Sequence, residues 1–80
     1  MNWKEENNRL VLELTLGSFD KVIDLVNKIA KIANEMDHHP DLKIYDYKKL
    51  RIETTTHSEG KITEKDHILA SKIDQLVEQL

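Results

Sequence analysis

The four histidines of this 80-residue chain are the side chains best suited to carry out chemistry. His38 and His39 are adjacent, His57 follows later, and His67 lies nearer the C-terminus. A histidine side chain with an unperturbed pKa of about 6.5 can accept or donate a proton near neutral pH. If several of them converged, the cluster would offer an acid and a base to the same reaction.

Each histidine also has an ordinary structural interpretation. His38 and His39 could form a solvated helix end, where a positive ring favours the C-terminal dipole. His57 could simply close a strand, and His67 could serve the surface or the packing of a helix. Three histidines can also hold zinc. The chain has no cysteine and no HExxH spacing, so we predict no metal site.

The composition indicates one small domain spanning residues 1–80. The net charge of −3 leaves no basic excess to neutralise phosphates, so we predict no nucleic-acid partner. No apolar run approaches the roughly 20 residues needed to span a bilayer, so we predict no membrane partner either. The first six residues, MNWKEE, are too polar and acidic for a signal peptide. We therefore expect a cytoplasmic protein.

Two predicted hairpins supply the strands that must position the histidines. Trp3–Glu6 and Arg9–Leu16 flank the turn signal Asn7-Asn8, and the second of these segments alternates leucine with other residues. Leu42–Tyr47 and Leu50–Thr56 are rich in Ile, Tyr and Thr, which favour strands. Neither Gly nor Asn marks the turn between this second pair, so its register is open.

From Phe19 onward, apolar residues recur at intervals of three and four, which predicts an amphipathic helix of about 18 residues. Ser18 is the expected N-cap. Leu25 and Ile32 lie outside the stripe that we assign to the core. They are either ordinary exposed residues or a second apolar seam for a partner subunit. The assigned stripe comprises Val22, Ile23, Val26, Ile29, Ala30, Ala33 and Met36.

A second helix is expected after Thr63, which is followed three residues later by Asp66 in a pattern close to a capping box. Asp66 could therefore be a capping residue only. The apolar face of this helix comprises Leu69, Ile73, Leu76, Val77 and Leu80. The order ββαββα predicts an α+β fold, with a four-stranded antiparallel sheet and both helices on one face. His38 and His39 then leave the first helix and His57 leaves the last strand, so the three could converge at one rim.

Three segments resemble the signature of the pterin-4a-carbinolamine dehydratase family. They are DHHPDL at 37–42, TTHSEG at 55–60 and ITEKD at 62–66. His-His-Pro alone is a weak signal, but its combination with the other two segments at this spacing is specific. The resemblance runs from about Trp3 to the C-terminus. It identifies the chain as a short form that begins near the tryptophan following the family's N-terminal helix.

The resemblance implies a lyase that needs no cofactor. The family dehydrates a 4a-hydroxytetrahydropterin to a quinonoid dihydropterin and so supports tetrahydropterin recycling. Loss of the 4a-hydroxyl and the N5 proton requires one acid and one base, which histidines can supply. The partners implied are a small pterin substrate and further copies of the chain. Family members form dimers through sheet edges and often tetramers through the long helix.

The resemblance also assigns catalytic residues. His38, His39 and His57 match the family's active-site histidines, and Asp66 matches an acidic residue near the third of them. We expect His57 and His38 to divide the acid and base roles, with Asp66 orienting His57. His39 is expected to help hold the pterin.

Three further residues are expected to contact the substrate: Trp3, Asn34 and Thr56. Trp3 resembles the family's tryptophan at the pocket edge, and Thr56 belongs to the Thr-His motif. Asn34 stands where the family often has a glutamate, and Lys61 stands where a second glycine is common. These departures bear on how the pterin ring would be held.

Two alternatives stay open from the sequence. The fold could serve a non-catalytic dimerisation, regulatory or assembly protein, as it does in some animal relatives. The substrate could also be a molybdopterin-related pterin. Retention of all three histidines favours an enzyme, because a scaffold has no physical need for three titrating groups together.

Overall fold

The computed structural model describes residues 2–80 and contains four strands and two helices. The elements follow the predicted order ββαββα, with boundaries close to those expected from the sequence. They are β1 (Lys4–Glu6), β2 (Arg9–Thr15), α1 (Phe19–Met36), β3 (Asp41–Tyr45), β4 (Lys49–Thr54) and α2 (Glu64–Glu78). No helix in this part of the chain combines the length and the apolarity needed to cross a membrane.

The sheet has the strand order β1-β2-β4-β3, and every neighbouring pair is antiparallel. The predicted α+β fold is therefore confirmed. Asn7 and Asn8 both have positive φ angles, 51° and 62°, as a tight hairpin turn requires. In the second hairpin Asp46 and Tyr47 take the same left-handed conformation. This turn lacks Gly and Asn, which explains why the sequence marked it poorly.

Both helices pack on the same face of the sheet and bury an apolar core between the two layers. The row Leu10, Leu12 and Leu14 on β2 continues across the sheet into Leu50 and Ile52 on β4. The central cluster comprises Leu12, Val22, Leu25, Ile29, Leu50, Ile52, Leu69 and Ile73. On α2, Leu76 and Val77 pack partly against this cluster, whereas the C-terminal leucine expected on the same face, Leu80, is exposed.

The predicted core stripe of α1 is largely confirmed, but it omits Leu25 and Ile32 and wrongly includes Ala30. Leu25 is fully buried in the core, and Ile32 packs against the core with part of its surface exposed. Ala30, by contrast, faces solvent. Leu25 lies three residues after Val22 and four before Ile29, so it belongs to the same helical face. Both interpretations of Leu25, as an ordinary exposed residue and as part of a seam for a partner subunit, are therefore wrong.

The opposite face of the sheet carries charged side chains and no helix. At its centre, the guanidinium of Arg51 on β4 forms ion pairs with Glu6 on β1, Glu13 on β2 and Glu53 on its own strand. Hydrogen bonds to Glu53, Glu13 and Glu6 raise the pKa of Arg51 above its ordinary value. Val11 lies on this face yet is only 3% exposed, because the long charged side chains cover it.

A shallow cavity of about 100 Å³ lies on the same charged face. It is smaller than the roughly 300–1,000 Å³ usual for small-molecule sites. Its lining comprises Asn2, Lys4, Glu6, Val11 and Glu13, and none of these is a predicted site residue. The predicted site residues instead centre on the other side of the sheet, where α1 ends and α2 begins.

Candidate active site

The carboxylate of Asp66, in the first turn of α2, is the centre of a buried hydrogen-bonded cluster. Its side chain has no exposed surface. Oδ1 lies 2.6 Å from Nε2 of His38 and 2.7 Å from the hydroxyl of Thr54. Oδ2 lies 2.8 Å from the hydroxyl of Thr56 and 2.9 Å from the backbone nitrogen of Thr63. Asp66 thus joins the end of α1, the end of β4 and the start of α2.

The proton positions in this cluster follow from counting donors. A hydroxyl has one proton, and Thr56 donates its proton to Asp66. The 2.7 Å contact between the hydroxyls of Thr56 and Thr63 must therefore be donated by Thr63. The contact from the Thr63 N–H to Asp66 is one half of a capping box. Four donors in all face Asp66, and a carboxylate offers about four lone-pair positions.

This donor count keeps Asp66 ionised. Burial of the carboxylate opposes ionisation, but hydrogen bonds from His38, Thr54, the backbone of Thr63 and Thr56 outweigh it and lower the pKa of Asp66 below its ordinary value. A proton on either oxygen would have to displace one of these donors. Asp66 is therefore a fixed anion and a poor proton donor.

A helix-ending motif buries His38 beside this anion. The N–H of Asp37 donates to the carbonyl of Asn34, and the N–H of His38 donates to the carbonyl of Ala33. Asp37 has a left-handed backbone, with a φ of 52°. This pattern is a Schellman motif, in which the residue after the left-handed one folds back against the helix. The residue in that position is His38, which is 9% exposed.

The partner of His38 fixes its tautomer. Because Asp66 is ionised and can only accept, Nε2 of a neutral His38 carries the proton and Nδ1 carries the lone pair. Nδ1 makes no hydrogen bond within residues 2–80, and no buried side-chain N or O atom there lacks a partner. Nδ1 therefore reaches the surface. Asp66 holds the ring of His38 at Nε2, and the lone pair on Nδ1 faces solvent.

His39 and Asn34 lie next to this pair on the protein surface. Nε2 of His39 is 2.9 Å from Oδ1 of Asn34, one turn back on α1, and both side chains are exposed. With the amide oxygen as acceptor, the ring nitrogen is the donor.

His57 is exposed and lies in the turn that follows β4. That turn is closed by the N–H groups of Glu59 and Gly60, which donate to the carbonyl of Thr56. His57 makes no side-chain hydrogen bond with any residue from 2 to 80, so the expected pairing of Asp66 with His57 is not present; Asp66 pairs with His38 instead. His57 is nevertheless the chain neighbour of Thr56, with a Cα–Cα separation of about 3.8 Å.

Trp3 and Thr56, which were both predicted to contact the substrate, each form hydrogen bonds within the protein. The indole N–H of Trp3 donates to Asp74, 2.9 Å away on α2. Asp74 is about 12 Å along the helix axis from Asp66, so Trp3 is not part of the cluster. Thr56 is 5% exposed, and its hydroxyl is engaged by Asp66 and Thr63. Thr56 therefore holds the carboxylate of Asp66 from inside the protein.

The capping-box pattern predicts the contact between Asp66 and the backbone of Thr63, which the structure confirms, but sequence reasoning missed Thr54 as a partner of Asp66. The signal for Thr54 is its place in β4, where alternate residues from Leu50 to Thr54 are buried. A polar residue at a core-facing position needs a hydrogen-bond partner. The partner itself lies on α2, and only the packing of α2 against the sheet identifies it.

Known proteins with similar sequences carry one family description. The family model described as pterin 4 alpha carbinolamine dehydratase matches residues 1–76. A protein of Sulfolobus acidocaldarius, provisionally named pterin-4-alpha-carbinolamine dehydratase, is 47% identical over 92% of this chain and 80% of its own length. A protein of Metallosphaera sedula with the same provisional name is 43% identical over 94% of this chain and 77% of its own length.

Solved structures share the fold at lower sequence identity. A protein from Brucella melitensis described as a transcriptional coactivator/pterin dehydratase has a TM-score of 0.83 at 23% identity, over 92% of this chain and 78% of that chain. A pterin dehydratase-like protein described as a RuBisCO assembly factor in the alpha-carboxysome has a TM-score of 0.74 at 16% identity, over 94% of this chain and 86% of that one. The family model and the sequence relatives, which span most of the chain, agree: the chain belongs to the pterin-4-alpha-carbinolamine dehydratase family.

Proposed function

We propose that this protein is a lyase that removes water from a 4a-hydroxytetrahydropterin and releases a quinonoid dihydropterin. The observation that carries the proposal is the position of Asp66. Its carboxylate ties His38, the neighbour of His39, to Thr56, the neighbour of His57. One buried anion thus brings together the two segments that hold all three histidines matching the family motif.

In this reaction the C4a–O bond breaks and the N5–H bond breaks, so that the hydroxyl leaves as water and a double bond forms in the ring. We assign the base to Nδ1 of His38, which carries the lone pair and is held by Asp66. His57, exposed beside the cluster, gives a proton to the leaving oxygen. His39 and Asn34 contact the pterin. Each positioned proton transfer contributes roughly 10²–10⁴-fold.

The test is a stopped-flow dehydration assay with 4a-hydroxytetrahydropterin generated in situ. We expect rapid turnover by the wild type and a loss of about 10²-fold or more in kcat for His57→Ala and for His38→Gln. Glutamine at position 38 keeps an N–H that can donate to Asp66, so the loss would report the missing base and not a broken core.

The matched control is His67→Gln, because His67 is exposed on α2 and adjoins Asp66 only along the chain. It should keep wild-type turnover. Full activity in both His57→Ala and His38→Gln would refute the assigned roles. If folded wild type gives no acceleration, the dehydratase proposal fails, and a binding or assembly role on the same fold, or a molybdopterin-related substrate, takes its place.

We further propose that the protein acts as a homodimer or homotetramer. Large apolar side chains stay exposed in the single chain, among them Phe19 at the start of α1, Ile44 on the edge strand β3, and Ile68 on α2. A domain of this size buries a modest core, and self-association would add to it.

A further inference from the structure

Thr54 is a polar residue in an apolar row. It ends β4, and its side chain lies on the core-facing side with Leu50 and Ile52, only 2% exposed. Its hydroxyl donates to Oδ1 of Asp66 at 2.7 Å, which is the same oxygen that accepts from His38 at 2.6 Å. The hydroxyl also lies 3.5 Å from Nε2 of His38. Two donors therefore share one carboxylate oxygen.

We propose that Thr54 is a positioning residue. It acts on the reaction through Asp66 and His38, because it donates a second hydrogen bond to Oδ1. It is the only side chain other than His38 that reaches Oδ1 within residues 2–80; Thr56 and Thr63 hold Oδ2. Its catalytic consequence rests on the proposed function, whereas its effect on the His38 ring does not.

Two physical effects follow from a shared oxygen. First, Thr54 and His38 approach Oδ1 from β4 and from the end of α1, so the carboxylate cannot rotate about its Cβ–Cγ bond without losing a donor. Second, the hydrogen bond that Thr54 donates engages part of the negative charge on Oδ1, which limits how strongly Asp66 draws on the ring proton of His38. Thr54 thereby aims the ring and moderates the basicity that Asp66 confers on Nδ1 of His38.

The test compares three substitutions at position 54. Thr54→Val keeps the branched shape and removes the donor. Thr54→Ser keeps the donor, and Thr54→Cys supplies a weaker one. The matched control is Thr55→Val, because the hydroxyl of Thr55 donates to the carbonyl of Asn8 outside the cluster. If the valine variant does not fold, the comparison of Cys with Ser still decides the question.

The first readout is the proton NMR signal of the His38 Nε2–H, which needs no substrate. In Thr54→Val we expect this signal to move downfield, because His38 is then the only side-chain donor to Oδ1 within residues 2–80 and its hydrogen bond becomes stronger. Thr54→Cys should give a smaller displacement, and Thr54→Ser and Thr55→Val should leave the signal near its wild-type position. An unmoved signal in folded Thr54→Val would overturn the proposal.

The second readout is turnover. In Thr54→Val we expect kcat to fall about tenfold with KM little changed, which is less than the roughly 10²-fold that a 1 Å misplacement of a reacting group can cost. Thr54→Ser should restore it. An unchanged kcat in Thr54→Val, with an active wild type, overturns the catalytic part. An inactive wild type refutes the proposed function, and the NMR signal still decides whether Thr54 positions His38.

Discussion

The side chain of Asp66 has two roles that usually belong to different residues. It is an N-terminal capping residue of α2, because it accepts from the backbone of Thr63. It is also the counter-ion of a histidine, because it accepts from His38. The same negative charge serves both, since a helix N-terminus and an N–H of imidazole both present positive charge. The capping interpretation and the catalytic interpretation of Asp66 are therefore compatible.

Replacement of Asp66 by asparagine should remove a pH-dependent part of the stability. The folded pKa of Asp66 lies below the unfolded value of about 3.9. As pH falls, the unfolded chain therefore takes up this proton first. The stabilisation from Asp66 is complete above about pH 5 and is lost as pH falls through the folded pKa.

We expect Asp66→Asn to lower the free energy of unfolding at pH 7 by roughly 3 kcal/mol and to flatten its decline below pH 5. Urea denaturation at several pH values, followed by the fluorescence of the single tryptophan, Trp3, measures both effects. Asp24→Asn on the exposed face of α1 changes the net charge equally and should keep the wild-type decline. Identical curves for Asp66→Asn and Asp24→Asn would contradict the assigned role of Asp66.

At the scale of elements, the end of α1 decides where His38 points. Asp37 supplies the left-handed turn that sends the chain back over the helix. Aspartate tolerates this conformation less well than glycine, and its negative charge faces the negative end of the helix dipole. The position is thus strained in backbone and unfavourable in charge, which indicates room for stabilisation.

Glycine at position 37 should relieve both penalties. We expect Asp37→Gly to raise the free energy of unfolding by about 1 kcal/mol, and Asp37→Asn, which removes only the charge, to raise it by about half as much. Thermal and urea denaturation of the two variants separate the backbone part from the charge part. A loss of stability in Asp37→Gly would contradict this prediction, because it would show that the side chain of Asp37 stabilises the folded protein.

At the scale of the whole molecule, the two faces of the sheet differ in burial and in charge. One face buries the core and carries the cluster around Asp66 at its end. The other holds the ion pairs of Arg51, which connect three strands without a covering layer. The exposed edge strand β3 offers unpaired backbone groups, and Ile44 on it is 37% exposed.

We expect sedimentation velocity to show a dimer or larger assembly at micromolar concentration, because edge pairing would satisfy β3 and cover Ile44. Ile44→Lys places a charge on that edge and should shift the distribution toward monomer. Leu80→Lys, on an exposed C-terminal residue, should leave it unchanged. A wild type that sediments as a monomer at all concentrations contradicts the oligomer proposal, and equal behaviour of the two variants contradicts the role of the edge.

Local patterns determined the elements of this protein. Alternation in Arg9–Leu16, the spacing of apolar residues after Phe19 and the cap at Thr63 each depend on residues close together in the chain. Periods of 2 and 3.6 are local properties, so a sequence carries them directly. The α1 stripe was predicted wrongly at two positions: Leu25, which fits the local 3.6-residue period with Val22 and Ile29, is buried, whereas Ala30 faces solvent.

The sequence, through its resemblance to the family, also predicted that three histidines and Asp66 form one site. Only the tertiary structure decided the pairing. Asp66 is nearer to His57 than to His38 in the chain, yet it bonds to His38, because α2 packs beside α1 and brings its first turn to the end of that helix. Likewise, no local pattern joins Thr54 to a carboxylate on another element. Hydrogen bonds between distant segments depend on how whole elements pack. That packing is set jointly by many core residues far apart in the chain, so no short stretch of sequence predicts it.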